Sequence, residues 1–377
     1  MLRGCAYNLA VSDSLLTAAA DAANAGGPRI LGIETSCDDT AAAVVDGAGR
    51  VVASVVSRQL TAHRPFGGVV PEIASREHLR NWPAVSAETL EQAGLELAAI
   101  DAVAATRGPG LIGSLLVGLS IGRALAYARG LPFHAVHHLE GHLYSPFLRL
   151  GGEPAEAPPR RFHGLVVSGG HTALYEVADG AVRTIAETRD DALGEVFDKI
   201  GKRLGLPYPQ GPKVDELAEA GSAGSVRLAV ARCSDGSLDF SYSGLKSQTL
   251  LAIERLERQG VDCDLGAGAG APAAVRDLLA DFRAAAVGQI VDRLDRLRRS
   301  GRAPALLAVS GGAAANRLLR RALAAWAGEH GVDLRLVPLA FSGDNAAMIA
   351  HAALLRERRG ESDDPLRVEA AGRLPLA

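Results

Sequence analysis

One plan occurs twice in this chain: an apolar strand, a turn of small polar residues, then a second apolar strand. It reads "ILGIETSCDDTAAAVVD" at 30–46 and "GLVVSGGHTALYEVADG" at 164–180. Each copy predicts a hairpin, because short apolar runs flanking a Ser/Thr/Gly/Asp turn favour paired strands. Each turn also exposes backbone N–H groups, which suits an anion. Helical pattern follows at 78–98 and 112–129 after the first copy, and at 191–204 and 275–299 after the second, with a further stretch at 344–358. The repeat predicts a duplicated α/β fold: two lobes, a cleft between them, and one polar turn in each.

The chain has 377 residues, enough for two domains of ordinary size. Its composition, 48% hydrophobic and 22% charged, predicts a packed core; aromatics are only 4%, so Ala, Val, Leu and Ile must build it. A net charge of −3 does not mark a global nucleic-acid binder. RNA, if bound, is met through local patches or partner proteins. Two basic clusters, Arg293/Arg296/Arg298/Arg299/Arg302 and Arg317/Arg320/Arg321, read as solvated helix faces. Cys5, Cys37, Cys233 and Cys263 show no Cys-x-x-Cys spacing, which argues against a disulfide framework and for a reducing compartment. The longest apolar run, 111–122, stops at Arg123, short of the roughly 20 residues that span a bilayer. Residues 1–28 are Ala-rich and read as a flexible extension, with Asp13 and Asp21 interrupting any signal-peptide core. Segment 151–161 reads as a linker and 264–274 as a flexible surface loop.

The densest chemistry lies in "HHLEGHLYSP", residues 137–146. On a helix, His138 and His142 share one face and can ligate one ion. The zinc-peptidase motif places glutamate directly after the first histidine. Here Glu140 stands two positions on, roughly 200° around the helix from His138, and cannot serve a metal-bound water. Neither His137 nor Glu140 is given a catalytic role. A metal needs further ligands, and "FSGDNAAMIA" (341–350) offers Asp344 beside a polar turn, where it also reads as an N-cap. A His-His-Asp set leaves coordination positions open for a substrate oxygen, and suits zinc or iron(II).

Three other stretches carry polar groups. In 188–218, Asp190 and Asp191 read as helix-start acids, while the Pro-Gln-Gly-Pro turn (209–212) sits beside Asp215, an acid suited to ribose hydroxyls. In 305–327, a buried strand runs into Ser310-Gly311-Gly312 and a helix with Asn316 in its first turns, an arrangement that lets a ligand approach backbone. In "DFSYSGLKSQTL" (239–250), Lys246 reads as a phosphate or RNA contact, or as a surface lysine.

Taken together, "GIETSCDDTAAAVV", "GGVVPEIASREH", "RGPGLIGSLLVG", "HHLEGHL", "LVVSGGHTALY", "DDALGEVFDKIGKRLGL", "FSYSGLKSQ", "VSGGAAANRLLR" and "FSGDNAAMIA", in order from residue 32 to 350, resemble the bacterial TsaD family of tRNA N6-adenosine threonylcarbamoyltransferases. The resemblance implies an ASKHA (actin/Hsp70-like) fold of two duplicated RNase H-like lobes: 29–160 completed by 336–377, and 161–335. It implies that His138, His142 and Asp344 bind one divalent metal, Fe2+ or Zn2+. It implies that Val166, Val167, Ser168, Gly169, Gly170, Asp198, Gly211, Asp215 and Asn316 surround an adenylate substrate. The implied reaction moves threonylcarbamoyl from threonylcarbamoyl-AMP to N6 of adenosine 37 in the anticodon loop of tRNAs reading codons that begin with A. The implied partners are a paralogous TsaB-type dimer partner and a TsaE-type ATPase, and the implied setting is the cytoplasm, away from membrane. The rival readings are an ATP-hydrolysing ASKHA protein and, further off, a metallopeptidase. One departure stands out: the family's Tyr-Pro-Gly-Gly-Pro is "YPQGP" here, and Gln210 strains the turn if that position takes positive φ.

Overall fold

Both copies of the repeated plan fold into hairpins. In the computed structural model, which describes residues 27–266 and 270–376, β1 (Ile30–Glu34) pairs antiparallel with β2 (Asp39–Val45), and β3 (Val51–Arg58) with β2. Then come α1 (Leu60–His63), α2 (Pro71–Ala93), β4 (Ala102–Gly108), α3 (Ile112–Arg129), β5 (Phe133–His137) and α4 (His138–Tyr144). β4 lies parallel to β1 and β5 to β4, giving the order β3-β2-β1-β4-β5. The second half comprises β6 (Arg161–Val167), β7 (Thr172–Ala178), β8 (Ala181–Glu187), α5 (Leu193–Arg203), α6 (Gly211–Glu219), α7 (Ser243–Arg258), α8 (Ala273–Arg299), β9 (Leu306–Ser310), α9 (Arg317–His330) and β10 (Asp333–Leu336). Its sheet runs β10-β9-β6-β7-β8. Read from the other edge, that is the first sheet's order with the same parallel and antiparallel pairings. The chain then returns to the first sheet through α10 (Ala346–Glu357).

Alternation along the strands splits the first sheet between two cores. Leu31, Ile33, Val44 and Val103 pack with Leu119, Ala126 and Phe133 on one side. Ile30, Ala43, Val45 and Ala104 share the other core with Ala346, Ala347 and Ala350. Small residues let α10 lie close to β1: a Cβ on Gly32 would collide with the Ala346 carbonyl. Such overpacking costs about 1–3 kcal/mol. This contact fixes the start of α10, and with it residue 344.

In both sheets the parallel strands end on one edge, where open α/β folds bind ligands. β1 and β5 deliver Glu34 and His137 there, and β6 and β9 deliver Val167 and Ser310.

Several local expectations need correction. The helix expected at 78–98 begins at Pro71 and ends at Ala93. Proline suits a first helical position because its φ is preset and no N–H is lost, and Gly94 at φ 63 ends the helix. Asn345, not Asp344, caps the last helix: its side chain accepts from Met348 N at 2.9 Å. Asn316 is itself an N-cap, accepting from Leu319 N at 2.9 Å, and lies ahead of α9 rather than within it. Asp190 does not serve its own helix. It accepts from the backbone of Tyr242 and Ser243 and from both serine hydroxyls, Ser241 and Ser243, at the start of α7. Asp191 pairs with Lys199 and with Lys246 (2.6 Å), so Lys246 is engaged within the chain. Arg293 is not on a solvated face; it is fully buried and donates to the carbonyls of Ala231, Leu238 and Asp239. Arg320 donates to Val337 O, and Arg321 pairs with Glu219.

Residues 151–160 form neither helix nor strand, and Cys37, Cys233 and Cys263 are free. The proposed extension up to residue 26, Cys5, and residues 267–269 of the 264–274 loop lie outside the described residues. No described helix is long and apolar enough to cross a membrane.

Candidate metal centre

Helix α4 starts where β5 ends. His137 is the junction: its Nδ1 accepts from Leu139 N at 3.1 Å, and its Nε2 contacts Leu374 O at 3.0 Å. Burial lowers its pKa to about 4. It is thus a neutral cap with no reach into the cleft chemistry. Glu140 lines a polar cavity of ≈ 320 Å³ with Asp179, Arg356 and Arg359, and sits outside the His138/His142/Asp344 cluster. That placement removes the glutamate a peptidase would need.

His138 and His142, one turn apart, stand edge to face with ring centroids 4.7 Å apart. Asp344 Oδ1 lies 3.5 Å from His138 Nε2 and 3.3 Å from His142 Nε2. The three donor atoms all fall within 4.8 Å of one another. Helical spacing and the start of α10 thus bring together the three residues expected as ligands.

The residues around them fit a metal. His138 Nδ1 is 3.0 Å from Glu34 Oε2 and 3.2 Å from Ser36 Oγ. Donation of Nδ1–H to that carboxylate leaves Nε2 bare toward the cluster, as ligating histidines are usually held. Glu34 is fully buried and fixed by Thr106 Oγ1 (2.6 Å) and Ser36 N. Burial opposes charge on His138, but the Asp344 and Glu34 carboxylates outweigh it and raise its pKa to about 10. His142 is pushed down by burial and by His138. Burial opposes charge on Asp344 and Glu34 too, yet His138 holds both below the usual carboxylate range. Two carboxylates beside two imidazoles make a setting that a cation suits.

The turn after the second sheet's first strand offers backbone. Val166 and Val167 are fully buried, and Val166 is paired on both sides, with Ala173 and Ser310, so the sheet absorbs it. Ser168 N donates to His171 O (2.7 Å), and Ser168 Oγ accepts from His171 N (3.0 Å). That leaves the exposed Gly169 and Gly170, with open space above both, to offer N–H groups. Gly311, at φ 93, lies so close to the end of β6 that a Cβ would collide with Val167 O. His171 was absent from the sequence expectations. Burial, then repulsion from His138 and His142, lowers its pKa to about 4. Its ring is neutral, and the turn that carries it lies within the field of the metal trio.

The remaining expected residues form linked pairs. Asp198 Oδ1 accepts from Gly211 N at 2.7 Å, capping α6; burial raises its pKa against that bond. Asp215 Oδ1 accepts from Asn316 Nδ2 (2.7 Å) and Arg283 Nη1 (3.0 Å). Gln210 has φ −82 and ψ −35, ordinary right-handed values, so the strain expected of it does not arise.

Two sheets of one strand order, a His-His-Asp trio and an open glycine turn after the second sheet's first strand define an ASKHA protein with a candidate metal centre. Among solved structures, HypF of T. kodakarensis matches over 89% of this chain and 48% of its own, with TM-score 0.56 and 15% identity, a likeness of fold alone. The TsaD family model, described as tRNA N6-adenosine threonylcarbamoyltransferase, matches residues 50–351. Proteins of that name from Pelobacter propionicus and Geobacillus kaustophilus are 49% and 44% identical, covering 85% and 92% of this chain and 90% and 96% of their own length. The chain belongs to the TsaD family.

Proposed function

We propose that this chain transfers the threonylcarbamoyl group of threonylcarbamoyl-AMP to N6 of adenosine 37 in tRNAs that read codons beginning with A. The new bond joins N6 to the carbamoyl carbon; the bond from that carbon to the phosphate oxygen breaks, and AMP leaves. The observation that carries this reading is the convergence of His138, His142 and Asp344, donor atoms within 4.8 Å of one another, in a chain of this family. A divalent cation, Fe2+ or Zn2+, on that trio supplies Lewis-acid polarisation of the substrate's oxygens.

The chain's own groups position the rest. Gly169 and Gly170 N–H hold a carbonyl or phosphate oxygen, where fixed donors are worth most against developing charge. Asp198, Gly211, Asp215 and Asn316 line the nucleoside side, and Val166, Val167 and Ser168 contribute only the backbone frame of the turn. The exocyclic amine is a weak nucleophile, so positioning is the main contribution. No side chain is assigned as general base. The lobes of this reading are 29–160 with 336–377, and 161–335. A TsaB-type dimer partner and a TsaE-type ATPase complete the working assembly in the cytoplasm.

The test is reconstitution with those partners, tRNA, ATP, threonine and the adenylate-making enzyme, read by mass spectrometry of the nucleosides. Threonylcarbamoyl-adenosine is the expected product. Its absence with the wild-type chain overturns the reading.

A further inference from the structure

One side-chain hydrogen bond joins the polar turn after β1 to the α5–α6 connection of the second lobe. Tyr208 Oη donates to Asp38 Oδ2 at 3.2 Å, across 170 residues of sequence. Asp38 belongs to the turn that also holds Ser36, a neighbour of His138. Tyr208 belongs to the connection between the helix bearing Asp198 and the helix bearing Asp215. Lys202 also lies near Gly67: a Cβ placed on that glycine would fall 3.6 Å from Lys202 Cε.

The connection is anchored in its own lobe. Leu204 and Leu206 are buried, Leu265 N donates to Leu204 O at 2.8 Å, and Gly211 N is held by Asp198. Tyr208, in its middle, reaches across. Burial, then the nearby Asp38 charge, pushes the Tyr208 phenol above its ordinary range, so it stays a donor.

The proposed substrate gives such a bridge a task. A mixed carbamic–phosphoric anhydride is open to water: a water oxygen bonds to the carbamoyl carbon, AMP leaves, and the N-carboxythreonine left behind loses CO2 to give threonine. A site that holds the anhydride until a tRNA amine arrives has to exclude water, and closing segments do this in many enzymes. We propose that the 204–210 connection is a clamp between the lobes, and that Tyr208 is its positioning residue, acting through Asp38. This rests on the function proposed above.

Tyr208→Phe keeps the ring and removes only the donor. In the reconstituted complex, KM for threonylcarbamoyl-AMP is expected to rise about tenfold, the scale of one lost hydrogen bond to a charged group, with kcat changing less. The share of adenylate lost as free threonine, relative to transfer, is expected to rise. Deuterium exchange is expected to quicken at 36–40 and 204–212, with the melting temperature lower by about 2 °C. Lys202→Ala should move the same readouts by less. An unchanged partition ratio and unchanged exchange in Tyr208→Phe overturn the clamp, whatever happens to total activity. If the wild-type chain transfers nothing, the function reading fails instead, and exchange on the full chain alone still decides the clamp.

Discussion

The two lobes share a strand order and differ in the turns that leave their first strands. After β1 the turn brings acids and a serine, and Glu34 and Ser36 reach His138 through their side chains. After β6 the equivalent turn brings glycines, and Ser168 spends its own N–H and hydroxyl on holding that turn together. Duplication has therefore kept the scaffold and divided the chemistry. In the proposed function, one lobe arranges side chains for a cation and the other bare backbone for an anion. An anhydride with a phosphate and a carbonyl needs both at once.

The hardest test of that division is a crossed pair of substitutions. Asp344→Ala removes a proposed first-lobe ligand and should abolish both metal retention and transfer. Gly170→Pro removes a second-lobe N–H and should leave metal content normal while transfer falls about 100-fold, the scale of one lost oxyanion donor. Metal analysis of the purified proteins beside the nucleoside assay reads both. Normal metal in Asp344→Ala, or metal lost in Gly170→Pro, breaks the comparison.

A smaller effect should come from Glu34→Gln. Loss of such a support typically weakens metal binding about 10–100-fold. The pH dependence sharpens this. In the metal-free chain His138 is raised from 6.5 to about 10. That shift contributes stability fully present below pH 6.5 and lost as pH rises through about 10. Metal needs His138 Nε2 without its proton, so binding releases a proton and wild-type affinity climbs with pH through the neutral range. Glu34→Gln removes one of the carboxylates that hold the proton, so its affinity should level off at lower pH. The deficit against wild type should then widen as pH rises. Competition titrations across that range check it; a deficit that narrows with pH removes Glu34 from the support of His138.

Much of this arrangement was legible in the sequence where the cause is local. Alternating apolar strands around polar turns marked both hairpins, and helical spacing put His138 beside His142. Asp344 also stands where the sequence placed it, although its capping role passed to Asn345, one position on. What the sequence hid depends on long-range burial. Glu34 is an acid at the end of an apolar strand, and its partner lies 104 residues away. His171 sits in a turn read for its small polar residues and free N–H groups, and the trio whose charges act on it comes from distant stretches of the chain. Arg293 read as one of a solvated row because nothing local tells that the 231–239 segment covers it. Asp190 read as a cap for the following helix, yet the helix it serves begins 53 residues on.

The smallest effect separates two meanings of a glycine, and Gln210 is where this chain allows it. If the family's glycine served backbone conformation, glutamine would strain the turn, and Gln210→Gly would tighten substrate binding. The observed φ of −82 points the other way. Gln210 is buried, and a Cβ on Gly201 would sit 2.5 Å from its own Cβ, so its side chain fills the gap between α5 and α6. Gln210→Gly should therefore lose packing and gain unfolded-chain freedom, together lowering stability by about 1 kcal/mol. KM for the adenylate should stay put, because Asp198 still receives the Gly211 N–H. Thermal melting and KM measured on one preparation decide it. A lower KM with an unchanged melting temperature would restore the conformational meaning. A lower melting temperature with an unchanged KM makes Gln210 a space-filling choice that the second lobe accommodates without altering its chemistry.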